Sequence, residues 1–293
     1  MSTFSADVRR STLDILWSLW AECGVSGWHR GAGKTAIDIE ALILCTASIG
    51  DLDARLRDEA TDWCIRYGDL VSKVRLKNIR ALGLGAHGFD EFAATVNAHS
   101  GLRWPTTGSR ARTYTPTGRS ELDLRRPSMI GLRGRALFGV SARAEIVTLF
   151  AIAGGERTAT QLATRTCFGR RIIAETAELL VRAGVLGSSE HSNPRTYSLV
   201  RRDEMRALFD PAPERAPAWP HLLRVVAEIL DITERAEGQS MVVRAVETQR
   251  RLVTIDGSVF AAGLPRVPTL DDTPAGWTRF AAWATDVLMR AAG

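Results

Sequence analysis

Arg170 and Arg171 stand side by side directly after Gly169, at the start of a stretch, RRIIAETAELLVRAG, whose apolar residues recur at helical spacing. Paired guanidiniums in the first exposed turn of a helix have two uses. They can meet phosphate, helped by the positive end of the helix dipole, and they can reach guanine edges through two parallel hydrogen bonds. Glu175, one turn on, can read a base edge or pair with a neighbouring arginine. Upstream, Thr158, Thr160, Gln161 and Arg165 carry groups suited to positioning a protein on phosphate. Downstream, His191, Asn193 and Arg195 lie in a polar tip, where they can reach the adjoining backbone or minor groove. Residues 157–202 hold eight arginines against Glu175, Glu178 and Glu190, a net +5 that suits attraction to phosphate.

These side chains need a frame, and the surrounding residues supply one. Ile146, Leu149, Phe150 and Ala153 predict one face of a helix that Gly154 and Gly155 end. Thr158 predicts the start of a short helix, ATQLATRT, with Ala159, Leu162 and Ala163 inward. A tight turn over Thr166–Gly169 leads into the arginine-bearing helix, which sets Ile172, Ile173, Ala177 and Leu180 inward and closes at Gly184. Two short strands, Val185–Ser188 and Thr196–Val200, flank the tip from Ser189 to Arg195. Helix, short helix, turn, helix, hairpin is the order of a winged helix-turn-helix. Cys167 falls in the turn beside Arg165, Arg170 and Arg171, where positive charge and a helix N-terminus would stabilise a thiolate and suit a redox switch. A small apolar residue filling the turn is the plainer reading.

The length of 293 residues predicts more than one domain. Residues 1–100 read as a helical domain: a helix over 6–22 with Trp17 and Trp20 toward a core, a second capped by Asp38, a third over 51–68 and a fourth over 73–82. Asp51, Asp53, Asp58, Glu59 and Asp62 predict a solvated acidic face on the third. Residues 101–130, with Pro105, Pro116 and Pro127 among many arginines, read as an extended connector. The module occupies 131–203. After Pro211, Pro213, Pro217 and Pro220, residues 204–293 read as a helical C-terminal region, with helices near 219–236, 240–252 and 275–291. No internal repeat and no heptad array is read. The fold class is therefore mainly α, with a short β-hairpin wing.

Charge is unevenly placed. The chain has 38 basic and 33 acidic residues, and all but Lys34, Lys73 and Lys77 of the basic ones are arginine. Residues 1–102 are net −2 and residues 144–293 are neutral, whereas 103–143 carry nine arginines against Glu121 and Asp123, net +7. That concentration suggests a polyanion partner.

Other chemistry is argued against. GWHRGAGKT over Gly27–Thr35 has its first glycine one position out of register for a phosphate-binding loop, and a helical rather than a strand pattern precedes it. Cys23, Cys45, Cys64 and Cys167 have neither disulfide-framework nor zinc spacing, and Cys23 with His29 lacks a second ligand pair. His29, His87, His99, His191 and His221 form no local catalytic pattern. The reading is thus not an enzyme, with no cofactor and no metal. No run of 18 apolar residues occurs and MSTFSADVRR has no apolar leader stretch, so a cytoplasmic protein with no membrane partner is expected.

ALFGVSARAEI, TATQLATRTCFGRRIIAETAELLVRAGVL and TYSLV together resemble bacterial winged helix-turn-helix regulators. IDIEALILCTASIGDLDARLRDEATDWCIRYGDLVSKVRLKNI further resembles the N-terminal half of a bacterial family carrying this module in its middle, often encoded beside nucleotidyltransferase-like proteins. The resemblance covers residues 8–80 and 125–205. With the arginine pattern, it implies a repressor that binds specific double-stranded DNA, as a homodimer on a two-fold operator. The alternative is an antitoxin or defence component that binds a partner protein encoded nearby and regulates its own operon. A sensor holding a small molecule between the helices is a third reading.

Overall fold

Apolar residues at three- and four-residue spacing fold most of the chain into helices, and caps decide where each begins. The computed structural model describes residues 3–27, 33–189, 194–271 and 273–292. The first five helices are α1 (Thr3–Glu22), α2 (Ile39–Ser48), α3 (Ala54–Tyr67), α4 (Lys73–Ala81) and α5 (Phe89–Ser100). Asp38 caps α2 by accepting from the Ala41 amide at 3.1 Å, and Asp53 caps α3 through the Leu56 amide at 3.0 Å. The periodicity of 89–100 was not read as a helix; α5 packs there on α3 through Phe89, Phe92 and Val96.

The middle elements are α6 (Ile130–Phe138), α7 (Ala142–Ala153), β1 (Arg157–Thr158), α8 (Ala159–Thr166), α9 (Arg170–Arg182), β2 (Leu186–Ser189) and β3 (Thr196–Leu199). The strands form an antiparallel sheet in the order β1–β3–β2, with Arg157 opposite Tyr197 and Leu186 opposite Leu199. The two-residue β1 was invisible in the pattern because it is too short to alternate. α10 (Arg202–Ala207), α11 (Trp219–Arg235), α12 (Met241–Ala261) and α13 (Pro274–Ala292) complete the chain. α12 continues past its predicted end at 252. No helix among the described residues is long and apolar enough to cross a membrane.

Two cores result. The larger draws on both ends of the chain: Leu16 and Trp20 of α1 and Leu42 and Leu44 of α2 share it with Val226 of α11, Leu252 of α12 and Phe280 and Val287 of α13. Trp20 lies in it and donates its indole N–H to Thr46 at 2.9 Å. The smaller core holds Ile146 and Phe150 of α7, Leu162 of α8, Ile173, Ala177 and Leu180 of α9, Leu186 and Tyr197 of the sheet, and Phe209. Ile172 does not belong to it. The buried stripe of α9 runs through 173, 177 and 180, and Ile172, turned about 100° from Ile173 on the helix, lies 48% exposed.

The acidic face of α3 is not a solvated face. The connector lies across it. Asp62 is buried and accepts from the Thr117 and Gly118 amides at 2.6 and 2.9 Å, while Asp58 pairs with Arg112 at 2.6 Å. Arg66 donates to the carbonyls of Gly118 and Ser120, and the Glu121 amide donates to Gly24 O at 2.9 Å. Gly24 has φ +89°, and a Cβ there would overlap the Glu121 carbonyl. Gly24→Ala is therefore expected to cost at least about 2 kcal/mol, combining left-handed strain with loss of this seat. Denaturant unfolding measures it, and unchanged stability would show that the connector is not held there.

Candidate nucleic-acid interface

The α8–turn–α9 unit is built from local signals. Thr158 caps α8 through the Gln161 amide at 3.2 Å, and the Gln161 side-chain oxygen accepts from the Thr158 amide at 2.8 Å. This reciprocal box occupies groups of two of the four residues read as phosphate contacts, leaving the Gln161 side-chain NH2 as the free donor. Thr160 is exposed on the same helix. Cys167 ends α8 in the left-handed region, φ 55°, and Gly169 takes the N-cap position of α9.

Arg170 is exposed at the first position of α9 and makes no ion pair among the described residues. Arg171 is also exposed but is held by Glu175, one turn along, at 2.8 Å. Leu179, 51% exposed, follows Glu175 one turn later, so the outer face of α9 mixes paired charge with the apolar side chains of Ile172 and Leu179. Arg165 points elsewhere. It lies largely buried and donates to the Ala216 carbonyl, fastening α8 to the segment before α11. Arg195 is drawn back onto the module: it donates to Ser188 Oγ at 2.6 Å and pairs with Glu178 at 3.1 Å. Tyr197 donates its hydroxyl to the same Glu178 oxygen at 2.8 Å. His191 and Asn193 lie outside the described residues, as does His29.

What orients the unit was not legible as a site. Glu40 of α2 is buried in an otherwise apolar helix. It accepts from Arg75 Nε at 2.9 Å, from Arg135 at 2.5 and 2.8 Å, and from the Ser72 amide at 2.7 Å. Arg135 of α6 also donates to Glu145 of α7 at 2.8 Å, while Arg75 of α4 bonds Asp38 and the Thr166 carbonyl at the end of α8. Asn78, also on α4, donates to Cys167 O at 2.9 Å. The clamp thus joins α2, α4, α6, α7 and the α8–α9 turn. Burial by itself raises the Glu40 pKa, but Arg135 and Arg75 outweigh it and hold the carboxyl down to about 2. The one available signal was a single carboxylate inside IEALILCTAS, because a buried charge requires a partner.

Cys167 does not carry a thiolate. Burial pushes its thiol up to about 12, and the nearby Asp38, Glu40 and Glu145 add to that against the opposing Arg75. The expected stabilisation by arginines fails because burial of the thiol outweighs Arg75, the cation that acts on it most strongly. Lys34, from the glycine-rich loop, pairs with Glu214 at 3.0 Å, and the loop follows a helix, α1.

Most of the +7 segment is also spoken for. Arg112 pairs with Asp58, Arg125 with Asp123, and Arg135 lies in the clamp; Arg126 and Arg133 donate to backbone carbonyls. Arg103, Arg110, Arg119 and Arg143 remain exposed. The charge excess that suggested a polyanion is in good part an internal fastening. No family model matches the chain, and no curated protein or solved structure matches it either.

Proposed function

We propose that the chain is a DNA-binding transcriptional regulator whose residues 142–199 act as a winged helix-turn-helix, with α9 as the helix that enters the major groove. The observation that carries this reading is the exposed N-terminal turn of α9. Arg170 has no ion-pair partner among the described residues, and Gly169 leaves open space before it, a Cβ there meeting nothing within 4 Å. The order of α7, β1, α8, α9, β2 and β3, with β3 between its two partners, supports the same reading. Thr160 and the Gln161 NH2 would position the module on phosphate, Arg170 and Arg171 would read base edges, and Arg195 would serve the wing after releasing Glu178. Repression follows if such a site overlaps a promoter.

A second reading is favoured by Ile172 and Leu179. An apolar pair on the outer face of α9 suits a protein partner, as an antitoxin or defence component would bind, with DNA contact serving autoregulation. Selection of bound DNA from a random pool, at two salt concentrations, separates the readings. Enrichment of one sequence at both salts is the expected result; a pool that stays random and washes off at the higher salt overturns base readout.

A further inference from the structure

The inner face of α12 is committed: Ala245 is buried, and Leu252, Ile255 and Val259 are buried in the larger core. Its outer face carries a second apolar row, Val243, Val246, Val253 and Phe260, all exposed, with Phe260 88% and Val253 67% accessible. With Arg250 and Gly257 these positions advance by three, four, three, four and three residues, the spacing of a coiled-coil seam. The sequence pattern hid it, because the buried row interleaves with the exposed one and the two together look irregular.

We propose that α12 is a self-association surface, pairing antiparallel across a two-fold axis with α12 of a second copy of this chain. A second copy is favoured over another partner because the seam complements itself when reversed. Antiparallel pairing sets Val243 against Phe260, Val246 against Gly257 and Arg250 against Val253, each pair occurring twice. The largest side chain then meets a medium one. Gly257, where a Cβ would meet nothing within 4 Å, leaves room for Val246. Charge fits as well. Arg250, which pairs with Glu247 of its own helix at 2.9 Å, comes within a turn of Asp256 of the second copy, and Asp256 makes no ion pair among the described residues of its own chain. The two-fold relation places the same contacts on both partners, as a closed dimer requires. This surface lies outside α8 and α9, and the proposal does not depend on their function.

Sedimentation equilibrium of the full chain without DNA tests it. The wild type is expected to be a dimer, and Phe260→Asp and Val253→Asp are each expected to raise its dissociation constant at least about tenfold. Both residues are highly exposed, so far-UV circular dichroism of the variants should be unchanged. Cysteine pairs report the direction. The native cysteines are all buried, so an introduced one is the reactive thiol. Val243→Cys with Phe260→Cys should oxidise to a covalent dimer. Val243→Cys by itself should not, its two copies lying about 26 Å apart. A monomeric wild type, or a dimer indifferent to Phe260→Asp, overturns the surface. Cross-linking of the single Val243→Cys variant overturns the antiparallel arrangement.

Discussion

Glu40→Ala is expected to destabilise the chain by about 3–5 kcal/mol, measured by denaturant unfolding at neutral pH. The carboxylate is buried and answers two guanidiniums that are themselves nearly inaccessible. Removing it leaves Arg75 with Asp38 and Glu145, and Arg135 with Glu145 alone, each without its innermost partner. The desolvation cost of both cations stays while the attraction that offset it goes. A Glu40→Gln variant keeps the shape but not the charge, so it should lie between wild type and Ala. Acid acts on the same group. Because the folded-state pKa is depressed, the stabilisation is complete above the ordinary carboxyl value of 4.5 and is lost as pH falls from there through about 2. Glu40→Ala should flatten that part of the stability profile. A loss below about 1 kcal/mol in Glu40→Ala would mean that the clamp does not hold the two cores together.

The consequence should reach α9. Arg75 and Asn78 bond the carbonyls of Thr166 and Cys167, the last residue of α8 and the first of the turn. Loosening the clamp lets the turn move relative to the helical body.

Arg170→Ala with Arg171→Ala is expected to lower affinity for a selected DNA site by about a hundredfold or more at fixed salt, as loss of two bidentate base contacts would. The single variants should differ. Arg170 makes no ion pair among the described residues, whereas Arg171 must first leave Glu175. Arg170→Ala should therefore account for most of the loss. Glu175→Ala, which frees Arg171, should raise non-specific binding and steepen the salt dependence. Fluorescence anisotropy with a selected and a scrambled duplex, titrated with salt, measures all four variants. If the double variant lost affinity equally for both duplexes, the arginines would be phosphate contacts only. Retained affinity for the selected site would remove α9 from the interface.

Much of the local architecture was legible. Asp38 caps α2 as its position before an apolar run suggested, Thr158 begins α8, and Gly154 follows α7 with a positive φ that its lack of a Cβ permits. The module's helices and hairpin fell within a few residues of their expected ends. The site was less legible. The Thr158 hydroxyl and the Gln161 side-chain oxygen are spent on each other's backbone amides, Arg165 fastens α8 to Ala216, and Arg195 turns to Glu178. Each is a polar residue whose type fits a nucleic-acid contact and equally fits an internal bond, and only the neighbour decides which is made.

Caps, turns and helical periodicity depend on residues within about four positions of one another, so the sequence by itself determined most of the helices, though not α5, α6 or α10, and the exposed arginines of α9. The tertiary structure decided where charge goes. Arg75 and Arg135 reach Glu40 from 35 and 95 residues away, and the arginines of the connector find the acid groups and carbonyls of a body already folded. A net charge counted along the chain cannot separate a cation offered to a partner from one already paired, because Coulomb attraction acts through space and the sequence records only order.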